Sequence, residues 1–204
     1  MSYFKYGKKE IEYLKQVDPI LGEEIDKIGI IKRKTDPDIF SSLISSIISQ
    51  QISTKAATTV YNRFLELVKE INAKNIDEVD IDSIQGCGMS FRKASYIKNI
   101  ASSVINKDID LENLNSLSDD EIIKELTKLN GIGEWTAEML MIHSLERPDI
   151  LSFKDLAIRR GIMILYGLDD LSKTEFLEYK KRYSPYGTTA SIYLWEISSR
   201  VQST

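Results

Sequence analysis

Apolar residues recur at three- and four-residue intervals along most of this 204-residue chain, and this spacing predicts a protein built from helices. Within IFSSLISSIISQQIS, the apolar side chains that would share one helical face are Phe40, Leu43, Ile44, Ile47 and Ile48. Similar patterns predict helices over 54–71 and 188–200. Strand patterns are weak, so we expect helices along almost the whole chain.

Polar and glycine-containing segments predict where several of these helices begin. Ser118 and Glu121 form the pattern of a capping box at a helix start. Gly86 and Gly88 predict a turn that leads into a helix within 84–104, and the Ser-Pro-Tyr-Gly sequence at 184–187 predicts a turn before the last helix.

Composition narrows the class of protein. An apolar content of 42% is typical of a folded chain that can bury a core, in one domain or two small lobes. No stretch approaches the roughly 20 apolar residues that span a bilayer, and the N-terminal MSYFKYGKKE lacks the apolar core of a secretory signal. Cys87 is the only cysteine, which excludes an internal disulfide and an all-cysteine iron–sulfur cluster. We therefore expect a reducing, cytoplasmic location.

A Gly-Ile-Gly segment, Gly131 to Gly133, lies between two stretches with helical spacing. Glycine permits positive φ and close backbone approach, so we expect a tight turn with Ile132 directed inward. The first N–H groups of the following helix lack partners within that helix and would suit an anion such as a phosphate. On the residues of this turn alone, an ordinary helix–helix turn is the slightly preferred interpretation.

The net charge of the chain argues against binding to nucleic acid. The chain carries −4 at pH 7 with a sequence pI of about 5.2, whereas nucleic-acid-binding domains are usually basic. Basic residues do form local clusters, which either build one basic face or are solvated helix surfaces. The clusters are Lys32, Arg33 and Lys34; Arg92, Lys93 and Lys98; Arg159 and Arg160; and Lys180, Lys181 and Arg182.

Asp155 stands alone at the predicted start of another helix. A carboxylate can stabilise positive charge that develops on a substrate and can orient a water molecule. Aspartate is also favoured in the first turn of a helix, and Arg159 four residues later would be a suitable surface partner. The residues alone therefore favour a structural role.

Three motifs together resemble the helix-hairpin-helix (HhH-GPD) DNA glycosylases, in particular the branch that is similar to 3-methyladenine DNA glycosylase II. The motifs are LNGIGEWTA at 129–137, DLAIRRG at 155–161 and the SIISQQIS segment that ends at Ser53. The resemblance extends from residue 10 to 200 and covers most of the chain.

The resemblance implies an all-α, two-lobed helical bundle with the active cleft between the lobes and Asp155 at its floor. One lobe would comprise the central helices and the hairpin, residues 40–140, and the other residues 1–39 plus 141–204 of a single glycosylase domain. Because the chain is short and poor in strand patterns, we expect it to resemble the compact members and not the larger ones that carry an N-terminal sheet domain.

The resemblance also implies residue roles. Asp155 would be catalytic and stabilise the sugar cation as the glycosidic bond breaks. The remaining roles are DNA intercalation by Gln51, with Ile52 as the alternative; base contact by Trp135, Trp195 and Met139; and phosphate binding by the hairpin residues Gly131, Ile132, Gly133 and Thr136. His143, the only histidine, is expected to pack within a helix and has no assigned role.

Trp135 stands where strand-cleaving relatives have a lysine, so the resemblance implies a monofunctional enzyme that leaves an abasic site. Many relatives have Pro-Ala-Asp-Asp-Leu where this chain has Ser152 to Leu156. Lys154 in that segment is interpreted as a phosphate contact, with a nucleophilic role as the alternative.

The expected partner is double-stranded DNA with a damaged base, bound by a monomer in the nucleoid and not at a membrane. No metal or cofactor is required, although the family hairpin can hold a monovalent cation. Two alternatives stay open. One is a glycosylase for hypoxanthine or 8-oxoguanine with lyase activity, and the other is a non-catalytic DNA-binding module.

Overall fold

The computed structural model of the protein describes residues 2–200, which form twelve helices, one short 3-10 helix at Leu114–Ser116 and two strands of two residues each. The helices are α1 Lys8–Val17, α2 Pro19–Ile28, α3 Ile39–Ser49, α4 Thr54–Val68, α5 Ala73–Glu78, α6 Ile81–Gly86, α7 Phe91–Ile105, α8 Asp119–Leu126, α9 Glu134–His143, α10 Leu156–Tyr166, α11 Lys173–Tyr183 and α12 Gly187–Arg200. The predicted all-α class is confirmed. Among the described residues, no helix is both long and apolar enough to cross a bilayer.

The chain divides into two compact units. The central unit is Asp36–Leu140, and the split unit comprises the residues up to Thr35 together with those from Met141 onward. Helix α9 therefore begins in the central unit and ends in the split unit.

Helix α3 of the central unit buries the face that its spacing predicts. Leu43, Ile44, Ile47 and Ile48 are almost fully buried, whereas Phe40 is only half-buried near the first turn. Helix α4 ends three residues before its predicted limit of residue 71. Lys69 takes a positive φ of 66° and its N–H bonds to the Leu65 carbonyl, so the helix cannot continue.

Two predicted helix starts compare differently with the structure. Ser118 and Glu121 make both bonds of the capping box at α8, as predicted. Gly86 was expected in the turn, but it is the last residue of α6, so this prediction is wrong. Only Gly88 takes the left-handed conformation there, with φ +107°. The isolated Gly-x-Gly pattern did not indicate that Gly86 still completes a helical turn.

In the split unit, α10 packs closely against α12. A Cβ on Gly161 would lie 2.3 Å from the Leu194 carbonyl oxygen, so only glycine permits this approach. The turn predicted at 184–187 precedes α12, and the strands Ser2–Tyr3 and Lys34–Thr35 pair in antiparallel fashion. The close packing holds the middle of α10 and the middle of α12 in fixed register.

A buried carboxylate joins three helices of the same unit. Asp18 is 2% exposed and caps α2 by accepting the Leu21 N–H at 3.1 Å. It also accepts hydrogen bonds from Tyr166 on α10 and from Tyr183 and Arg182 on α11. Burial acts to raise the pKa of Asp18, but these donors outweigh it and hold the pKa below its usual value.

Candidate functional site

Asp155 is the N-cap of α10, and its side chain is nearly buried at 7% exposure. Its Oδ1 atom accepts the main-chain N–H of Ala157 at 2.9 Å and of Ile158 at 3.0 Å. The same oxygen accepts the indole N–H of Trp195 on α12 at 3.2 Å. Three N–H donors from two helices therefore fix the orientation of this carboxylate.

The segment that leads into Asp155 is held by polar side chains of α12. Thr188 accepts the Ile150 N–H at 2.9 Å and donates to the Arg147 carbonyl at 2.6 Å. Ser191 donates to the Ile150 carbonyl at 2.8 Å, and both hydroxyl residues are fully buried. Sequence reasoning did not identify Thr188 or Ser191. The signal available was a run of small residues with three hydroxyl groups, GTTAS, at the start of the last helix.

Trp195 makes two kinds of contact, one through its indole N–H and the other through the faces of its ring. Its half-buried ring stacks on His143, with ring centroids 5.8 Å apart and planes 14° from parallel. The Arg33 guanidinium carbon lies 5.0 Å from the centre of the same ring. The ring is thus already in contact with two side chains of its own unit, while its N–H is directed at Asp155.

His143 packs at the end of α9 and is partly buried, as the sequence predicts. Burial lowers the pKa of its imidazole, and the positive charge of Arg33 lowers it further. A hydrogen bond with the Lys34 main chain and the charge of Asp155 oppose this shift without reversing it. The imidazole is therefore neutral at pH 7 and can stack on Trp195 without adding a second cation.

The basic residues around Asp155 differ in their surroundings. The Arg159 guanidinium lies over the Phe153 ring at 4.8 Å, and Arg160 donates to the Ser198 hydroxyl at 2.6 Å. Lys154 is exposed. Among the described residues, no group of three or more His, Cys, Asp or Glu side chains is arranged to hold a metal ion.

The Gly-Ile-Gly segment forms the tight turn that its sequence predicts, in the central unit. Ile132 is 5% exposed, and its N–H bonds to the Leu129 carbonyl at 3.1 Å. Gly131 takes φ +88°, and a Cβ there would lie 2.4 Å from the Tyr96 ring. Gly133 has open space around it, and α9 begins at the next residue. The turn therefore presents the N-terminus of α9 beside an accessible backbone.

Residues Gln50 to Ser53, here called the Gln51 loop, connect α3 to α4 in the central unit. Gln51 lies beyond the end of α3 and takes a left-handed φ of 56°, so it does not belong to the helix. Its side chain is exposed, and Ile52 is 40% exposed. The Gln50 amide donates to the Gly131 carbonyl at 2.8 Å, a contact to the hairpin that the sequence did not indicate.

The remaining predicted site residues lie on α9. Trp135 is 45% exposed in the first turn, Met139 is half-buried one turn later, and Thr136 is 9% exposed between them. An exposed tryptophan at the start of a helix is unusual for core packing, and its ring is accessible to a flat ligand.

Known proteins are similar to this chain in sequence and fold. Residues 44–184 match the family described as HhH-GPD superfamily base excision DNA repair protein. The chain is 36% identical over 164 residues to DNA-3-methyladenine glycosylase 1 of Schizosaccharomyces pombe, a match that covers 78% of this chain and 72% of that protein.

Two solved structures resemble the protein over nearly its whole length. A DNA-3-methyladenine glycosidase from Bacillus halodurans superposes with a TM-score of 0.90 at 34% identity, covering 100% of this chain and 95% of that one. The 3-methyladenine DNA glycosylase of Schizosaccharomyces pombe in complex with abasic DNA gives 0.81 at 32% identity, with 94% and 97% coverage.

Proposed function

Because the chain belongs to the HhH-GPD superfamily of base excision DNA repair proteins, we propose that it hydrolyses the N-glycosidic bond of alkylated purines in DNA. The proposed substrates are of the 3-methyladenine type, and the product is an abasic site. Relatives named DNA-3-methyladenine glycosylase or glycosidase, at 34–36% identity, support this substrate class.

The observation that carries the proposal is the nearly buried, triply hydrogen-bonded carboxylate of Asp155. Cleavage of a glycosidic bond places positive charge on the sugar, and a carboxylate held in fixed orientation stabilises that charge as it develops. Its geometry requires no reorganisation during the reaction, because Ala157, Ile158 and Trp195 already orient it. The same carboxylate can orient the attacking water.

A single carboxylate suits an alkylated purine. Such a base already carries positive charge, so it departs as a neutral molecule and needs little assistance from a general acid. The chain has Trp135 where an amine nucleophile would form a Schiff base, and this supports simple hydrolysis without strand cleavage.

Access to the base requires that it leave the duplex, at a cost of a few kcal/mol. We propose that Gln51 enters the space that the base vacates, with Ile52 beside it. Trp135, Met139 and Trp195 are proposed to contact the extruded base, since an electron-rich ring attracts a cationic purine by roughly 1–2 kcal/mol when desolvated.

The hairpin is proposed to bind a phosphate of double-stranded DNA. The Ile132 N–H is already bonded to the Leu129 carbonyl, so the proposed donors are the main-chain N–H groups from Gly133 to Thr136, at the N-terminus of α9, where the helix dipole favours an anion. Carbonyl groups of the same turn are the proposed ligands for a monovalent cation, which would supply further positive charge toward the phosphate.

Replacing Asp155 with asparagine tests the proposal. Asp155→Asn keeps an oxygen that accepts the same N–H groups but removes the negative charge, so we expect base release to fall at least about 100-fold. Binding to the damaged duplex should persist, because the hairpin is unchanged. Asp169→Asn, which removes an exposed carboxylate of the same unit, is the matched control and should retain full activity.

The measurement is single-turnover release from duplexes that carry 3-methyladenine, hypoxanthine or 8-oxoguanine, with strand breaks scored before and after alkali. Breaks that appear only after alkali, and chiefly with 3-methyladenine, are expected. Undiminished release by Asp155→Asn would refute the assigned mechanism, and breaks without alkali would favour the lyase alternative.

A further inference from the structure

Lys93 on α7 binds the end of α3 through its ammonium group. Its Nζ atom donates to the Ile48 carbonyl at 2.8 Å and to the Gln50 carbonyl at 2.6 Å. The last carbonyls of a helix have no partners within it, and a cation there also complements the helix dipole. The ammonium group is directed at the protein backbone and is partly withdrawn from water, and this burial lowers the pKa of the lysine.

The Gln51 loop is held from a second side as well. The Gln50 side chain donates to the Gly131 carbonyl at 2.8 Å, which links the loop to the hairpin. Lys93 and Gln50 thus fix the residue that directly precedes Gln51. Gln51 itself adopts φ +56°, a conformation that residues with a side chain seldom occupy.

A loop that inserts between stacked base pairs must keep its shape, because the neighbouring bases would otherwise stack again in the space that the extruded base has left. A flexible loop would lose conformational entropy on insertion, whereas a loop already fixed in shape loses little. Two hydrogen bonds from Lys93 and one from Gln50 supply that rigidity, and they leave the Gln51 side chain exposed.

We infer that Lys93, together with Gln50, is a positioning residue for Gln51 and acts on opening of the base pair, not on cleavage of the glycosidic bond. The inference depends on the proposed function, in which Gln51 fills the space of the extruded base. It also assigns Gln50 a mechanical link between the phosphate-binding hairpin and the inserting loop.

Helix α7 contains a matched control. Lys98 binds the end of α5 in the same way, since its Nζ donates to the carbonyls of Ile76, Asp77 and Val79 at 3.3, 2.7 and 3.0 Å. Lys93→Met and Lys98→Met remove the same charge and the same kind of cap from the same helix. Only the first loosens the Gln51 loop.

The two variants are compared on one alkylated base in two settings. In the first duplex the base is paired, and in the second it stands opposite an abasic site, where little unpairing is required. Lys93→Met should lose about 10-fold or more in single-turnover rate on the paired base and less than about 3-fold opposite the abasic site. Lys98→Met should match the parent protein on both duplexes.

A second readout does not depend on base release. The adenine analogue 2-aminopurine, placed beside the lesion, brightens when its stacking is lost. The parent protein and Lys98→Met should raise this emission, and Lys93→Met should not. If base release fails for every variant while the emission pattern persists, the proposed chemistry is wrong and the positioning role stands.

Three results would overturn the positioning role. Equal losses by Lys93→Met on both duplexes would mean that Lys93 supports the fold or general DNA binding. Parent-like behaviour of Lys93→Met would mean that the loop needs no such support. Absence of any emission change with the parent protein would mean that Gln51 does not insert.

Discussion

At the scale of single residues, the hydrogen-bond donors around Asp155 distinguish this carboxylate from an ordinary helix cap. Asp155 would be an ordinary helix cap if it accepted only the N–H groups of Ala157 and Ile158. The third donor, the indole N–H of Trp195, lies 40 residues away in sequence on another helix. It fixes the orientation of the carboxylate. Trp195 is therefore expected to act through Asp155 in addition to any contact with the base.

Trp195→Phe separates these contributions, because it keeps an aromatic ring and removes the N–H donor. A hydrogen bond to a charged group contributes roughly 1.5–3 kcal/mol, so we expect kcat/KM to fall at least about 10-fold. Tyr193→Phe is the control on the same helix, since it removes a hydroxyl that donates to the Gly29 carbonyl at 3.0 Å.

Both variants should lose similar stability in thermal unfolding, and only Trp195→Phe should lose activity. Equal activity of the two variants would show that the indole N–H has no part in orienting Asp155.

At the scale of elements, the packing of α10 against α12 brings Asp155 and Trp195 together. Asp155 caps the first of these helices, and Trp195 lies on the second, one residue after Leu194. Gly161 contacts the Leu194 carbonyl so closely that the spacing between the helices depends on the absence of a side chain at this position. The site is therefore sensitive to a change that lies on neither functional residue.

Gly161→Ala tests this dependence. The added Cβ would meet the Leu194 carbonyl oxygen at 2.3 Å, so the helices must separate, and overpacking of this kind costs about 1–3 kcal/mol. We expect a lower midpoint in urea unfolding and a weakened base release, because Trp195 moves away from Asp155. Gly86→Ala, where a Cβ meets nothing within 4 Å, should unfold close to the parent midpoint. An unchanged midpoint for Gly161→Ala would show that the contact relaxes without cost.

At the scale of the whole molecule, His143 and Asp18 are two of the titratable groups that couple stability to pH. His143 is buried with a lowered pKa, so the unfolded chain takes up its proton first as the pH falls. Asp18 also has a lowered pKa, because its hydrogen bonds outweigh the opposing effect of burial, and its carboxylate is again protonated first in the unfolded chain. Both groups therefore reduce stability on acidification, in two different windows.

Unfolding free energy measured from pH 8 to pH 3 should show both windows. Stability should begin to fall below about pH 6.5 because of His143 and fall further below about pH 4 because of Asp18. His143→Gln should flatten the upper window only. Asp18→Asn should be less stable at pH 7 and should lose less stability than the parent protein in the lower window. A profile for His143→Gln that parallels the parent between pH 7 and pH 5 would contradict the assignment.

Much of this protein follows from local sequence. Helical spacing predicted the buried face of α3, the Ser118–Glu121 pattern predicted the cap of α8, and two glycines predicted the tight turn around Ile132. Each depends on atoms within a few residues of one another, so the chain encodes them directly. The position of Asp155 at the start of α10 was predictable for the same reason.

Contacts between distant segments were decided only by the tertiary structure. No spacing in the chain indicates that Lys93 caps α3, that Gln50 reaches Gly131, or that Arg33 and His143 lie against Trp195. Such contacts depend on how whole helices pack, and small residues such as Gly161 set that packing. Local sequence therefore determined which helices form and where the carboxylate stands. Packing decided which side chains orient that carboxylate and support the Gln51 loop, because those partners are separated by 40 or more residues.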